Sequence, residues 1–261
     1  MDKFSDYIDL YQKYVSFSNF LLVIGKSVKN APIFALHFGG FSSPQILLTA
    51  ATHAREYVST AVGFEMISSC KFENIGVWFV PVVNPDGVKI VLEENKKIFK
   101  ANANLVDINV NFDANWGKGK SNVFVPNFEN FVGPYPNSEI ETRTLANFAK
   151  HLRPALVLNL HTKGEVIYYG DFLKGNNKGK DQALAKELSN LTGFYSQKTS
   201  ESFGGFSDFC EMKLNIPALT LELGNDSLTH PIPLTQTQQL FSPVRDVLKM
   251  LDSQHWSEQT Q

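Results

Sequence analysis

His53, Ala54, Arg55 and Glu56 follow, one residue on, the apolar run Ile46-Leu47-Leu48-Thr49-Ala50-Ala51. A histidine and a carboxylate three residues apart, where a strand should end and a helix begin, can give one metal ion two of its ligands. With 6 His and 26 Asp plus Glu in the chain, about one such spacing is expected by chance. His255-Trp256-Ser257-Glu258 supplies that chance copy, set among Ser, Gln and Thr. The first copy differs in context. A buried-strand pattern precedes it, and Val58, Val62 and Met66 follow at helical spacing.

Two more polar residues stand at strand ends. His161 follows Leu156-Val157-Leu158-Asn159-Leu160, and Glu222 is embedded in Ala218-Leu219-Thr220-Leu221-Glu222-Leu223-Gly224. A carboxylate between leucines is costly unless a cation meets it, so Glu222 reads as either a structural ion pair or part of a site. His161 alone reads as a hydrogen-bonded core histidine or as a ligand. Strand ends in an open α/β sheet converge on the edge where ligands bind, which ties the two to His53. Two His and one Glu as ligands, with a further free Glu, form the inventory of a hydrolytic zinc site with one open position.

The elements that must position these residues are legible from periodicity. An amphipathic helix is predicted over 3–16, strands over 21–24, 33–38, 46–50 and 77–83, and a helix over 56–69. Asn84-Pro85-Asp86-Gly87 reads as a turn. Ser138-Glu139-Ile140-Glu141 reads as a capping box opening a helix. Further strands are predicted at 155–160, 166–169 and 218–223, with helices at 181–191, 206–214 and 234–251. Strands alternating with helices imply an α/β sheet covered on both faces. The polar stretch 101–137 is too long for a simple connector, which points to a functional loop.

Composition narrows the partners. A formal charge of -2 with dispersed basic residues gives no sign of nucleic-acid binding, and no apolar run approaches membrane-spanning length. No linker or repeat divides the chain, so one domain over 1–261 is expected. The N-terminus lacks a basic, apolar leader and the two cysteines are too few for a disulfide framework, which together read as cytoplasmic.

His53-Ala54-Arg55-Glu56, Asn84-Pro85-Asp86-Gly87, Asp107-Ile108-Asn109-Val110-Asn111-Phe112, His161 and Leu221-Glu222 resemble, in order, the motif series of the zinc carboxypeptidase (funnelin) family, over about residues 22–245. The resemblance implies a single α/β/α domain with a mixed, about eight-stranded sheet. It also implies one Zn2+ per chain held by His53, Glu56 and His161, with Glu222 as general base. Lys100 matches the position where relatives hold an oxyanion-stabilising arginine. It supplies charge without arginine's fork, and a solvated lysine is its alternative reading. Asn109 falls in the substrate-binding position of the same series. Where typical carboxypeptidases read Asn-Arg and clamp the substrate carboxylate with that arginine, this chain reads Asn109-Val110.

Further stretches, including Gly133-Pro134-Tyr135-Pro136, His161-Thr162-Lys163-Gly164-Glu165 and Gly204-Gly205-Phe206-Ser207-Asp208, are similar to bacterial γ-D-glutamyl-diamino-acid peptidases and murein peptide amidases. That branch implies hydrolysis of the γ-D-glutamyl-meso-diaminopimelate bond in peptidoglycan-derived peptides, a peptide or muropeptide substrate. Arg55 and Lys163 are the cations placed to anchor it; a salt bridge and a solvated lysine are their other readings. The alternatives are a metallocarboxypeptidase of other specificity and an inactive muropeptide-binding homologue. The family's substrate-covering tyrosine has no match among Phe203, Phe206 and Tyr195, and Gly204-Gly205 reads as a turn rather than a ligand contact.

Overall fold

Uncharged apolar runs take the middle of one eight-stranded sheet in the computed structural model, which describes residues 2–254 and 256. His255, Ser257 and Glu258 of the C-terminal His-x-x-Glu copy lie outside the described residues. In chain order the strands are β1 (Phe20–Lys26), β2 (Pro32–Gly39), β3 (Gln45–Thr49), β4 (Gly76–Val80), β5 (Leu156–His161), β6 (Val166–Tyr169), β7 (Tyr195–Lys198) and β8 (Ala218–Glu222). They lie in the order β1-β2-β4-β3-β5-β8-β6-β7. The central four, β4, β3, β5 and β8, run parallel, and both flanks begin with antiparallel pairings. Every residue of β4 and β5 is buried, as befits parallel strands covered on both faces. The mixed eight-stranded α/β sheet is the architecture that the sequence implies.

The helix expected near the N-terminus forms as α1 (Phe4–Val15) ahead of β1, and alternation along the strands sorts the core into two layers. Ile46, Leu48, Leu158, Leu160, Leu219 and Leu221 point to a layer shared with α2 (Val58–Ser68), α5 (Lys180–Thr192), α7 (Thr237–Phe241) and α8 (Val247–Ser253). Leu47, Val157 and Ala218 point the other way, to α4 (Ile140–Leu152), the short α6 (Phe206–Phe209) and the long loop around Ile108 and Phe112. Because side chains alternate with period two, Asn159, His161, Thr220 and Glu222 belong to this second face. One row of register runs Thr49, Asn159, Thr220, Tyr168 across β3, β5, β8 and β6, and His161 and Glu222 pair directly beyond it.

Several elements differ from their sequence expectation. Asn84-Pro85-Asp86-Gly87 opens a helix, α3 (Pro85–Glu94), instead of making a turn: the Asn84 side chain accepts from the Gly87 N–H and Pro85 fills the first helical position. Ser138 and Glu141 form no capping box. The cap residue of α4 is Glu139, Ser138 bonds sideways to Asn111 and Glu139, and Glu141 is taken up by Val28 N–H and Asn102. The helix expected over 234–251 is broken into short pieces around Pro243. Strand β7, exposed along its length, carried no hydrophobic signal and was not expected. Among the described residues, no helix is long and apolar enough to cross a membrane.

Candidate zinc centre and its adjoining cavities

After β3 the chain cannot continue as strand, because Thr52 and His53 turn into a single 3-10 turn, Ala54–Glu56, ahead of α2. Asn84 fixes that turn from below. Its amide donates to the Thr52 and Ala101 carbonyls, while Ala54 N–H donates to Lys100 O, so the His53 segment and the Lys100 segment are stitched together. His161, the last residue of β5, arrives beside them because β3 and β5 are neighbours reached by separate connections, the crossover point where open α/β sheets keep their crevice.

The three expected ligands converge. His53 Nδ1 lies 2.9 Å from Glu56 Oε1, His161 Nδ1 lies 3.0 Å from Glu56 Oε2, and the two Nδ1 atoms are 3.0 Å apart. All three side chains are buried, and they form the one cluster of metal-competent donors found among the described residues. Two imidazole nitrogens and a carboxylate facing one point in a dry site repel or compete for protons unless a cation joins them. Two nitrogens, one oxygen and an open fourth direction suit zinc.

Behind His53 stands Asp107. Its Oδ1 is 3.3 Å from His53 Nε2, off the line of a good hydrogen bond, and its Oδ2 is 3.2 Å from Lys100 Nζ. Burial alone would raise the Asp107 carboxyl, but Lys100 and His53 hold it far below the usual range. Burial likewise works against charge on Lys100, and Asp107 with Glu56 outweighs it and raises its pKa. The result is a buried chain of alternating charge, Lys100 to Asp107 to His53, that fixes the orientation of the first metal-facing ring. Glu222 faces this chain from β8. Burial pushes its carboxyl up to about 7, His161 opposes that shift, and Glu56 adds to it.

Asn109 is held on both sides: its N–H donates to Asp107 Oδ1 and its side-chain oxygen accepts from Phe206 N–H, leaving the amide nitrogen for a ligand. It sits between two cavities. The first, about 360 Å3, opens beside Glu222 and is lined by Tyr168, Ser207, Asp208, Thr220 and Glu201 among others. The second, about 240 Å3, has Val110, Lys100 and His53 in its wall; of the residues that line it, Lys100 carries the positive charge. With no arginine at Val110, Lys100 is the cationic side chain in that cavity's wall.

Arg55 donates to Ile98 O at 3.2 Å and lies 3.3 Å from Glu129 Oε2, and Lys163 donates to Asp226 O at 2.7 Å. Both cations thus already have partners at the rim. Phe206 is packed against Phe112 in the core, Phe203 tilts against Phe172, and Tyr195 points out from β7, so none of the three lies over the site. Gly204 has φ +86° and a Cβ there would strike the Val110 carbonyl at 2.8 Å. The Gly-Gly pair serves the seating of the 199–205 loop on the Asn109 segment, in keeping with a turn.

Several site residues escaped sequence reasoning. Thr220 is two residues before Glu222 on the same strand face and Tyr168 is its register partner; strand alternation would have found the first but not the second. Asp107 opens the Asp107-Ile108-Asn109 segment, and nothing in that segment's sequence marks it as the partner of His53 and Lys100. His230, on the loop after β8, lies in the electrostatic field of Glu56, Arg55, Lys163 and His53, with its Nδ1 unpartnered, and burial lowers its pKa to about 4. Nothing in its sequence surroundings marks it.

Comparison with known proteins agrees with this geometry. The chain is 26% identical to gamma-D-glutamyl-L-diamino acid endopeptidase 1 of Lysinibacillus sphaericus across 84% of its own length, and spans 63% of that relative. Its fold matches thrombin-activatable fibrinolysis inhibitor with a TM-score of 0.80 at 19% identity, covering 96% of this chain and 72% of the other. Murein-tripeptide amidase MpaA from Escherichia coli O157 superposes with a TM-score of 0.65 at 23% identity, covering 91% and 93%. The zinc carboxypeptidase profile matches residues 5–242. With its converging His53, Glu56 and His161 at the crossover of a mixed eight-stranded sheet, the chain belongs to the zinc carboxypeptidase family of metallopeptidases.

Proposed function

We propose that this peptidase hydrolyses the γ-D-glutamyl-meso-diaminopimelate amide bond of peptidoglycan-derived peptides. The observation that carries the reading is the pair of cavities around Asn109. The one beside Glu222 offers Asp208 to an ammonium group, with Glu201, now paired with Lys120, in the wall that both cavities share, and the one beside Val110 offers Lys100 in place of an arginine clamp. A diamino acid with a second ammonium and carboxylate presents that combination, whereas an ordinary apolar C-terminal residue does not. The name of the Lysinibacillus sphaericus relative supports the same choice.

In this reading His53, Glu56 and His161 hold zinc, which supplies a Lewis acid to polarise the scissile carbonyl and acidify water. Glu222 takes the proton of the attacking water and passes it to the leaving amine. Burial raises this carboxyl and a bound zinc would oppose that rise, which suits a group that must take a proton and give it back. Lys100, kept charged by Asp107, faces the negative charge that develops on the carbonyl oxygen. Asn109 orients the leaving residue, and Arg55 and Lys163 anchor acidic groups of the γ-D-glutamyl side by exchanging their present partners. We place the reaction in the cytoplasm, where the free thiols Cys70 and Cys210 are at home.

The test uses L-Ala-γ-D-Glu-meso-diaminopimelate. Purified protein is expected to carry one zinc per chain and release diaminopimelate, and Glu222→Gln to retain the zinc while losing about 10²–10⁴-fold in turnover. A second reading, trimming of C-terminal basic residues, draws on the same acidic cavity lining. Zinc-loaded protein that leaves the tripeptide intact but cleaves N-blocked dipeptides ending in lysine would decide for it.

A further inference from the structure

The edge of the sheet farthest from β7 is bare in an unusual way. Among the described residues, strand β1 pairs with β2 on one side alone, so alternate N–H and C=O groups along its other side face outward. Phe20, Leu21, Leu22 and Val23 are all exposed, at 47%, 42%, 38% and 53%, although they alternate between the two faces of the sheet. From Ser16 to Gly25 there is no charged residue and no proline. Soluble proteins protect such edges with lysines, prolines, bulges or a covering element. Here, among the described residues, such devices stand only at the far end of the strand, the irregularity between Val23 and Gly25 and the exposed Lys26, and they limit a bare apolar edge to the segment before them.

The apolar surface extends beyond the strand. Phe41, 60% exposed, is 6.1 Å ring to ring from Phe20 and stacks on His37 at 3.9 Å. Phe17, 69% exposed, lies in the turn that leads into β1. The opposite edge offers a contrast: β7 reads Tyr195-Ser196-Gln197-Lys198, polar and closed by an ion pair between Lys198 and Asp171.

We propose that β1 is the seam of a homodimer, in which two copies pair antiparallel about a two-fold axis and join their sheets into one of sixteen strands. A second copy is the occupant because an antiparallel pair of identical strands is self-complementary. Centring the axis on Leu21 sets Phe20 of each chain opposite Leu22 of the other on one sheet face, which keeps the pairing within the regular part of the strand. No like charges meet, since the nearest charge in sequence is Lys26 on one side and Lys13 on the other. The six exposed side chains offer on the order of 500 Å2 of apolar surface per copy, about 1,000 Å2 for the pair before backbone is counted, which reaches the lower limit of a stable interface. The seam lies across the sheet from Glu222, so dimerisation and peptidase chemistry are separable.

Sedimentation or light scattering of the zinc-loaded protein at micromolar concentration is expected to give twice the 29.2 kDa chain mass. Leu21→Lys and, separately, Val23→Lys are expected to give folded monomers with unchanged zinc content and circular dichroism, while the control Leu191→Lys at the end of α5 stays dimeric. The outward-facing, alternate amides of Phe20–Val23 should lose hydrogen-exchange protection in the two β1 variants, while those bonded to β2 keep it. A wild-type protein that is monomeric throughout this range overturns the proposal, as do folded Leu21→Lys and Val23→Lys proteins that remain dimeric.

Discussion

The carboxylates buried on the β3 side of Glu222 and those buried on its β6 side meet the same difficulty in different ways. Glu56 and Asp107 are faced by His53, His161 and Lys100, and both are held well below the ordinary carboxylate range despite burial. Asp208 and Glu211 are met by backbone N–H groups instead. Gly205 N–H bonds Asp208, and Gly170 and Phe172 N–H bond Glu211, so burial prevails and lifts them to about 6 and about 8. The first arrangement keeps donors deprotonated at neutral pH, as metal ligands must be. In the second, protonatable acids stand in and beside the cavity wall.

The comparison breaks most sharply at the metal side. Glu56→Ala removes the one ligand that touches both histidines and leaves His53 and His161 Nδ1 facing each other at 3.0 Å with nothing to share. Zinc content by elemental analysis is expected to fall from one per chain toward none, with turnover at background. Retained zinc and retained turnover would mean that the cluster is structural.

A smaller effect is expected one shell outward. Asp107→Asn keeps the shape but removes the charge that Lys100 and His53 both face. Loss of such an outer partner typically costs about 10–100-fold in metal affinity or activity. The expected signature is weaker zinc retention against a chelator together with lower kcat, and Lys100→Arg should be far milder than Lys100→Met because it preserves the charge.

Much of the metal side was legible because its residues sit at strand ends, where His53 and His161 close hydrophobic runs and Glu222 puts a carboxylate between leucines. The sheet was legible for the same reason, apart from β7, whose Tyr195-Ser196-Gln197-Lys198 is polar edge strand without a pattern. The Asn-Pro-Asp-Gly segment misled because the residues that favour a turn also favour a helix start, and tertiary partners decide: Asp86 accepts from Lys29 N–H and Asn84 spans Thr52 and Ala101. The cavity side was hidden for a different reason. Tyr168, Asp208 and Thr220 come together through strand register and the position of α6, neither of which a single sequence spells out.

The gentlest test of the comparison is the pH dependence of stability. Glu211 is raised from an ordinary value near 4.5 to about 8, with Asp181 adding to the upward push of burial. The native state therefore binds this proton more tightly than the unfolded chain does. Its contribution to stability is full below the unfolded value and is lost as pH rises through about 8. Asp208 behaves alike over a lower window that ends near 6. Asp107 has the opposite sign: its contribution is present above the unfolded value of 3.8 and fades only in stronger acid, so it is flat between pH 5 and 8. The two losses together come to several kcal/mol between pH 5 and pH 8, at about 1.4 kcal/mol per pH unit for each group over its window, so zinc-saturated protein is expected to lose on the order of 10 °C in Tm, at about 2–4 °C per kcal/mol for a chain near this size. Glu211→Gln, a neutral mimic of the protonated carboxyl, should flatten that slope while leaving zinc content unchanged. A wild-type Tm that rises over this interval, or a Gln variant with the same slope, would place the proton-linked term elsewhere and remove the contrast between the two sides of Glu222.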